Sequence, residues 1–353
     1  MTFRYLLLGG MGCLLAACSP TVPSGNTASD TASEQLKTLT IYSARHYDSD
    51  ALMYEAFEAD TGIQVNLREA GAPQLLETLK AEGDASPADL IIAADAGSLW
   101  RFQQAGLTQA VTSKTLNAEI PEKFRDARGH WYGVSKRLRG VVYDTGRWTA
   151  EDVSDWNQLA APGMQGEICV RASSNIYNLS LMSEMIARIG EDAAAAWASA
   201  IVGNMARQPQ GGDTDQIRAI AAGECSVAIA NHYYLARLRV SPSDADQAAA
   251  ASVAFGVPDF GDQGGAHVNV TGVAVTANSQ NVDAATAFIT YLMGSEGQTY
   301  LTMETRELPM LEGMPPPQGA DILPDYTASE ISLSLFGENQ ATAQRLYDLA
   351  GWN

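Results

Sequence analysis

The chain has 353 residues, 46% hydrophobic and 18% charged, with 41 acidic against 22 basic side chains and a net charge of −19. A field of that sign repels nucleic acid and anionic membrane, so no nucleic-acid partner is expected. The length suffices for about two domains with sizeable cores.

At the amino terminus Arg4 supplies a minimal positive start, and Tyr5-Leu6-Leu7-Leu8 through Leu14-Leu15 an apolar run. The run is too short and too Gly-interrupted for a comfortable transmembrane helix. Leu15-Ala16-Ala17-Cys18 resembles the lipobox of bacterial lipoproteins, in which the Cys becomes the lipidated first residue of the mature chain. Residues 1–18 are therefore expected to be a lipoprotein signal peptide, with Cys18 as the lipid anchor; an ordinary cleaved signal with an incidental Cys is the alternative. Residues 19–36, rich in Ser, Thr, Pro and Gly, predict a flexible tether. Removing the signal leaves Cys169 and Cys225 besides Cys18. A single remaining pair in an oxidising compartment predicts a disulfide, against two buried free thiols.

Beyond the tether, β-rich apolar runs stand at Leu39-Thr40-Ile41-Tyr42, Val65 to Leu67, Leu90-Ile91-Ile92, Gly140-Val141-Val142-Tyr143, Ile168-Cys169-Val170, Val227-Ala228-Ile229 and Val268 to Val275. Helical spacing fills the intervals. Leu52, Met53, Ala56 and Phe57 share a face before Gly62; Leu75, Leu76 and Leu79 precede Gly83; Leu181, Met182, Met185, Ile186 and Ile189 precede Gly190. Methionines at this spacing read as core. Strands alternating with helices of this length predict α/β domains with largely parallel sheets. No internal repeat, phosphate loop, nucleophile elbow or zinc-type spacing is present, so nothing points to an enzyme.

Three polar clusters occupy one topological position, each after a strand. They are Arg45-His46-Tyr47, Ser173-Ser174-Asn175-Ile176-Tyr177 and Asn231-His232-Tyr233-Tyr234. Ligands in open α/β sheets bind outside the carboxyl ends of strands, so the clusters are expected to converge on one interdomain cleft. Phenolate oxygen is a hard anionic donor that suits a small trivalent cation such as Fe³⁺. An ordinary phenol ionises near pH 10, and a bound cation supplies the charge that brings this down. Four phenolates against Fe³⁺ leave one negative charge in excess, for which Arg45, Arg137 and Arg139 are the candidate partners. Neighbouring tyrosines in a strand point to opposite faces, so Tyr233 and Tyr234 serve one ion only if the backbone turns there.

The sequence around these clusters resembles the periplasmic ferric-iron-binding proteins of ABC importers, the FbpA/FutA type, from about Lys37 to Leu308. The resemblance is carried by Ile41-Tyr42-Ser43-Ala44-Arg45-His46-Tyr47-Asp48, Ser86-Pro87-Ala88-Asp89-Leu90 and Asp95-Ala96-Gly97-Ser98-Leu99-Trp100. It continues through Ser135-Lys136-Arg137-Leu138-Arg139-Gly140, Val170-Arg171-Ala172-Ser173-Ser174-Asn175-Ile176-Tyr177-Asn178, and Gln208-Pro209-Gln210-Gly211-Gly212-Asp213 on to Asn231-His232-Tyr233-Tyr234-Leu235. It implies a two-lobe α/β periplasmic-binding-protein type II fold with a hinged cleft. It also implies ferric iron as the transported ligand, held by His46, Tyr47, Tyr177, Tyr233 and Tyr234, with Arg137 and Arg139 behind them. Where some members place a Glu, this chain has Ala93-Ala94 followed by Asp95. A full set of five protein ligands implies that no synergistic anion is needed. His232, where many relatives carry Thr, reads as a solvated loop residue.

Crossover logic assigns 37–139 plus about 268–310 to a first lobe, and 140–267 plus about 311–353 to a second. The tail beyond Pro315-Pro316-Pro317 is expected to pack back on the second lobe. The implied protein is a monomeric periplasmic lipoprotein that delivers iron to an ABC permease. The rival readings are a binding protein of the same fold for an oxyanion or a polyamine, whose sites rely on backbone N–H groups, Arg, acidic groups or Trp, and an exported enzyme.

Overall fold

The computed structural model describes residues 38–45, 47–261 and 264–353. The expected signal peptide with Cys18, the tether and His46 lie outside the described residues.

The chain opens as β1 (Thr38–Ser43), α1 (Asp48–Thr61), β2 (Gln64–Glu69), α2 (Ala72–Glu82), β3 (Leu90–Ala93), α3 (Ala96–Gln104) and α4 (Lys114–Glu119). A long strand, β4 (Tyr132–Asp144), leads to α5 (Trp156–Leu159), β5 (Ile168–Cys169), α6 (Ile176–Ile189), α7 (Glu191–Asn204), α8 (Asp213–Ala221) and β6 (Val227–Asn231). Then follow α9 (His232–Arg239), α10 (Asp244–Ala251), β7 (Val253–Gly256), β8 (Val268–Val275), α11 (Val282–Met293), α12 (Ser295–Met303), β9 (Leu308–Pro309), α13 (Leu335–Glu338) and α14 (Gln340–Ala350).

The strand order is β2-β1-β3-β8-β4-β6-β5, with β7 and β9 also on β4. β4 belongs to two sheets in turn: it pairs β8 as far as Leu138↔Val268 and β6 from Arg139↔Asn231. Its partners therefore change between Leu138 and Arg139, and the molecule has two halves built on one shared strand. Parallel pairing holds at β1–β2, β1–β3 and β5–β6, whereas every pairing of β4 and β8 with its neighbours is antiparallel. The expectation of largely parallel sheets is thus corrected to mixed sheets. The chain leaves the first half along β4 and re-enters it along β8, so these adjacent strands run in opposite directions.

The local signals behave as their chemistry requires. α1 stops at Gly62, whose φ of 70° suits a residue without a Cβ and whose N–H bonds Glu58 O. α6 starts at Asn175, whose side chain accepts the Tyr177 N–H, and ends before Gly190. Its stripe of Leu181, Met182 and Met185 is buried in a core shared with Trp156, Trp197, Tyr347 and Trp352. Each such side chain contributes roughly 1.5–3 kcal/mol by leaving water. The tail helix α14 therefore lies on α6 and α7. The short α13 instead lies between α3 and α6: Phe336 stacks on His267 at 4.9 Å, and a Cβ added at Gly337 would come within 2.5 Å of the Trp100 ring. Only glycine permits that approach.

Cys169 and Cys225 are disulfide-bonded, with Cα atoms 5.9 Å apart. Although β5 and β6 are parallel, Cys169 is in register with Ala228, so the two sulfurs do not start level. The bond is made from the turn that precedes β6.

Candidate metal centre

Each of the four tyrosines singled out by sequence stands at the start of a helix that follows a strand. Tyr47 is the N-cap of α1, Tyr177 is the second residue of α6, and Tyr233 and Tyr234 are the second and third of α9. Between β6 and α9 there is no loop at all, since the strand ends at Asn231 and the helix begins at His232. That junction is the backbone turn the tandem pair requires: the two rings lie side by side with centroids 4.4 Å apart. Helix N-termini carry partial positive charge, so all four phenols are placed where an anionic oxygen is favoured.

The four converge. Tyr177 lies within electrostatic reach of Tyr233, Tyr234 and Tyr47. Asn231 Nδ2 donates to the Tyr233 hydroxyl at 3.2 Å. Tyr233 is buried, while Tyr47, Tyr177 and Tyr234 are half-buried. Burial, then the neighbouring Tyr234, pushes the Tyr177 phenol well above its ordinary value, with Arg137 opposing. Burial, then Tyr177 and Tyr234, does the same to Tyr233. The cluster is thus a crowded, dehydrated set of oxygen donors whose ionisation calls for a strong local cation.

The cations nearby divide by role. The Arg137 guanidinium lies 5.3 Å from the Tyr177 ring and pairs with Asp95 at 3.6 Å and Glu307 at 3.4 Å. Arg139 lies over no tyrosine ring among the described residues; it donates to Asp213 at 3.1 Å, to Asn231 Oδ1 at 3.0 Å and to Asn178 Oδ1. It acts through Asn231, which in turn holds Tyr233. Arg45 is buried, bonds Asp50 through two nitrogens at 3.0 and 2.6 Å, and sits 5.2 Å from the Tyr47 ring.

The residue that sequence reading passed over is Arg237. Its guanidinium lies 5.3, 4.9 and 5.5 Å from the rings of Tyr47, Tyr233 and Tyr234, and its Nη2 donates to the Tyr47 hydroxyl at 3.1 Å. It stands four residues after Tyr233 on α9, and that i, i+4 spacing was the available signal. Arg171, within the stretch that carries the resemblance, lies 5.7 Å from the Tyr177 ring.

His232 corrects an expectation: it is fully buried rather than solvated. Its Nδ1 accepts the Leu138 N–H at 3.2 Å, so Nε2 carries the proton and donates to Arg306 O at 3.1 Å. Burial lowers its pKa to about 4. Asp95 does not face the tyrosines as a donor; it caps α3, its Oδ1 taking the Gly97 N–H at 2.7 Å. Among the described residues no group of three or more His, Cys, Asp and Glu is arranged to hold a metal, so the tyrosines are the donor set on offer. His46, expected beside Tyr47, lies outside the described residues.

The profile of the bacterial extracellular solute-binding proteins matches residues 53–328. The chain is 43% identical over 322 residues to the iron uptake protein A2 of Synechocystis, covering 91% of this chain and 92% of that one. Its fold superposes on a Trichodesmium protein (IdiA, FutA) in complex with iron and citrate, with a TM-score of 0.86, 39% identity and coverage of 90% and 100%. A ferric binding protein from Campylobacter jejuni gives a TM-score of 0.82, 34% identity and coverage of 89% and 100%.

Proposed function

This chain belongs to the bacterial extracellular solute-binding proteins, in the ferric-iron-binding periplasmic group of FbpA/FutA type, which are not enzymes, and from that premise we propose that it captures one Fe³⁺ through Tyr47, Tyr177, Tyr233 and Tyr234, with His46 as the fifth donor. The observation that carries this is the convergence of four phenols from three strand-to-helix junctions on one point. Hard phenolate oxygens suit a hard trivalent ion, and the ion supplies the charge that ionises buried phenols. Arg237, Arg137 and Arg171 offset the negative charge left over when four phenolates meet Fe³⁺.

Tyr177, Tyr233 and Tyr234 belong to the half built on β5 and β6, and His46 and Tyr47 to the half built on β1 and β3. The ion therefore bridges two lobes that turn about the Leu138–Arg139 segment of β4, and binding favours the closed state. We read the lobes as 37–139 plus about 268–310, and 140–267 plus about 311–353. The loaded, lipid-anchored protein hands iron to an ABC permease.

The test is a visible titration with a ferric salt. A stoichiometric red to orange band from phenolate-to-iron charge transfer is expected. A protein that stays colourless, with no iron by elemental analysis, sinks the reading. Five protein donors leave no need for a synergistic anion, whereas the similar Trichodesmium protein has iron together with citrate. Loading with and without citrate separates the two: the same band and one iron per chain in both supports the full protein set.

A further inference from the structure

The fold carries a polar contact between the halves that the ion itself does not need. Asp95 sits at the head of α3 in the first half, and Ser180 lies on α6 in the second, one turn beyond Tyr177. Both are buried, at 2% and 0% exposure. The Ser180 hydroxyl donates to Asp95 Oδ2 at 2.9 Å, its single partner among the described residues. The same oxygen takes Asn269 Nδ2 at 2.8 Å and faces Arg137 at 3.6 Å. Asn269 cannot turn its amide to suit another partner, because its Oδ1 already accepts the N–H groups of Ala96 at 3.1 Å and Val270 at 2.8 Å. The other hydrogen-bond and ion-pair partners of the Asp95 carboxylate, Gly97, Asn269 and Arg137, belong to the first half.

We propose that Asp95 and Ser180 form a closure latch: by taking the Ser180 hydroxyl when the halves meet, Asp95 pins the first turn of α6 and so holds Tyr177 over Arg137 without touching the ion. Asp95 is a positioning residue. Opening the molecule costs the first half nothing in geometry and leaves Ser180 without its acceptor, so the bond contributes to the closed state alone. A parallel contact serves the other tyrosine helix: His232, the first residue of α9, donates to Arg306 O of the first half. Arg306 is the one non-glycine among the described residues with positive φ, 61°, a conformation that persists where the surroundings fix it.

The inference rests on the ferric reading, and the experiment keeps the two apart. Ser180→Ala removes the hydroxyl. Asp95→Asn keeps the α3 cap through its oxygen but points an amide at Ser180 and Asn269. Iron dissociation into excess citrate is followed for the purified wild type, both variants and the double variant, alongside X-ray scattering with and without iron. Each single variant is expected to release iron about tenfold faster, the factor of one hydrogen bond to a charged acceptor, with the visible band unchanged. The double variant is expected to be no faster than the worse single one. Wild-type release rates in both variants, or effects that multiply, overturn the latch. If the wild type takes up no iron the ferric reading fails. The latch is then judged on the metal-free radius of gyration, which Ser180→Ala enlarges if the latch exists and leaves unchanged if it does not.

Discussion

The two halves make unequal contributions to one site. The second half offers three phenols on two helix starts, with Tyr233 and Tyr234 packed together, Asn231 bonded to Tyr233 and backed by Arg139, and Arg237 over both rings. The first half offers Tyr47, half-buried, whose hydroxyl is held by Arg237 from the opposite side. A donor set organised before the ion arrives loses little freedom on binding, whereas a donor that arrives with closure carries the cost of the motion. On the ligand set proposed above, the difference assigns an order: iron settles first on Tyr177, Tyr233 and Tyr234, and Tyr47 completes the shell as the halves meet.

Phe at Tyr233 or Tyr234 is the harshest test of that asymmetry. Each removes a hard donor from the organised half, and the loss in iron affinity should exceed the roughly 10–100-fold that outer partners are worth, with most of the visible band gone. Tyr47→Phe should cost less and leave a shifted band. Equal losses at Tyr47 and Tyr233 would show that the halves share the ion evenly.

Much of this arrangement is readable in the residues, and what is not has a physical cause. Runs such as Leu90-Ile91-Ile92 and the Leu181-Met182-Met185 stripe announce strand and core because apolar periodicity reports burial directly. The tyrosine clusters announce themselves because strand ends are legible and the donor chemistry is unusual. By contrast, the first half of β4 hides behind Lys136, Arg137 and Arg139, since periodicity cannot show that Arg137 and Arg139 are buried by Asp95, Glu307 and Asp213. The burial of His232 is hidden for the same reason, and so is the carbonyl that fixes Arg237. The two partners, Arg306 and Thr305, lie about seventy residues away, and only tertiary structure brings them close.

Acid should act next most strongly, and on both halves differently. Tyr177 and Tyr233 bind protons more firmly than free tyrosine, so lowering pH gives protons the advantage over iron, and the band should fade well before pH 4. A band that survives there argues against phenolate ligation. The metal-free fold has its own acid response through His232, whose folded pKa, about 4, lies below the ordinary 6.5. The neutral ring is the one that accepts the Leu138 N–H. Its contribution is therefore complete above pH 6.5 and is lost as pH falls towards 4, on the order of 3 kcal/mol in all. His232→Gln should flatten the dependence of melting temperature on pH across that window; an unaltered slope would remove His232 from the account.

A gentler probe is His46→Ala, which removes the neutral fifth donor of the proposed ligand set. Affinity should fall roughly tenfold, the 1.4 kcal/mol scale of a modest contact, while the phenolate band stays. Loss of all colour would place His46 among the organising groups.

The smallest effect on iron is expected from the bond that staples only the second half. Cys169 ends β5 and Cys225 precedes β6, the two strands that run towards Tyr177 and Tyr233. Closing a loop of 56 residues restricts the unfolded chain, which stabilises the fold by roughly 2–4 kcal/mol. Register separates this function from ligand geometry. Cys169 lies opposite Ala228, and the β5–β6 pairing through Ile168↔Val227 and Cys169↔Ala228 persists without the sulfurs. Tyr177 is held by its own cap at Asn175, and Tyr233 by Asn231, neither of which touches a cysteine. Reduction should therefore lower the melting temperature by several degrees and leave the iron band where it was. Two reactive thiols in denatured, unreduced protein would show that the bond does not form. A band that shifts or bleaches on reduction would mean that the organised half owes its organisation to the disulfide rather than to its helix caps.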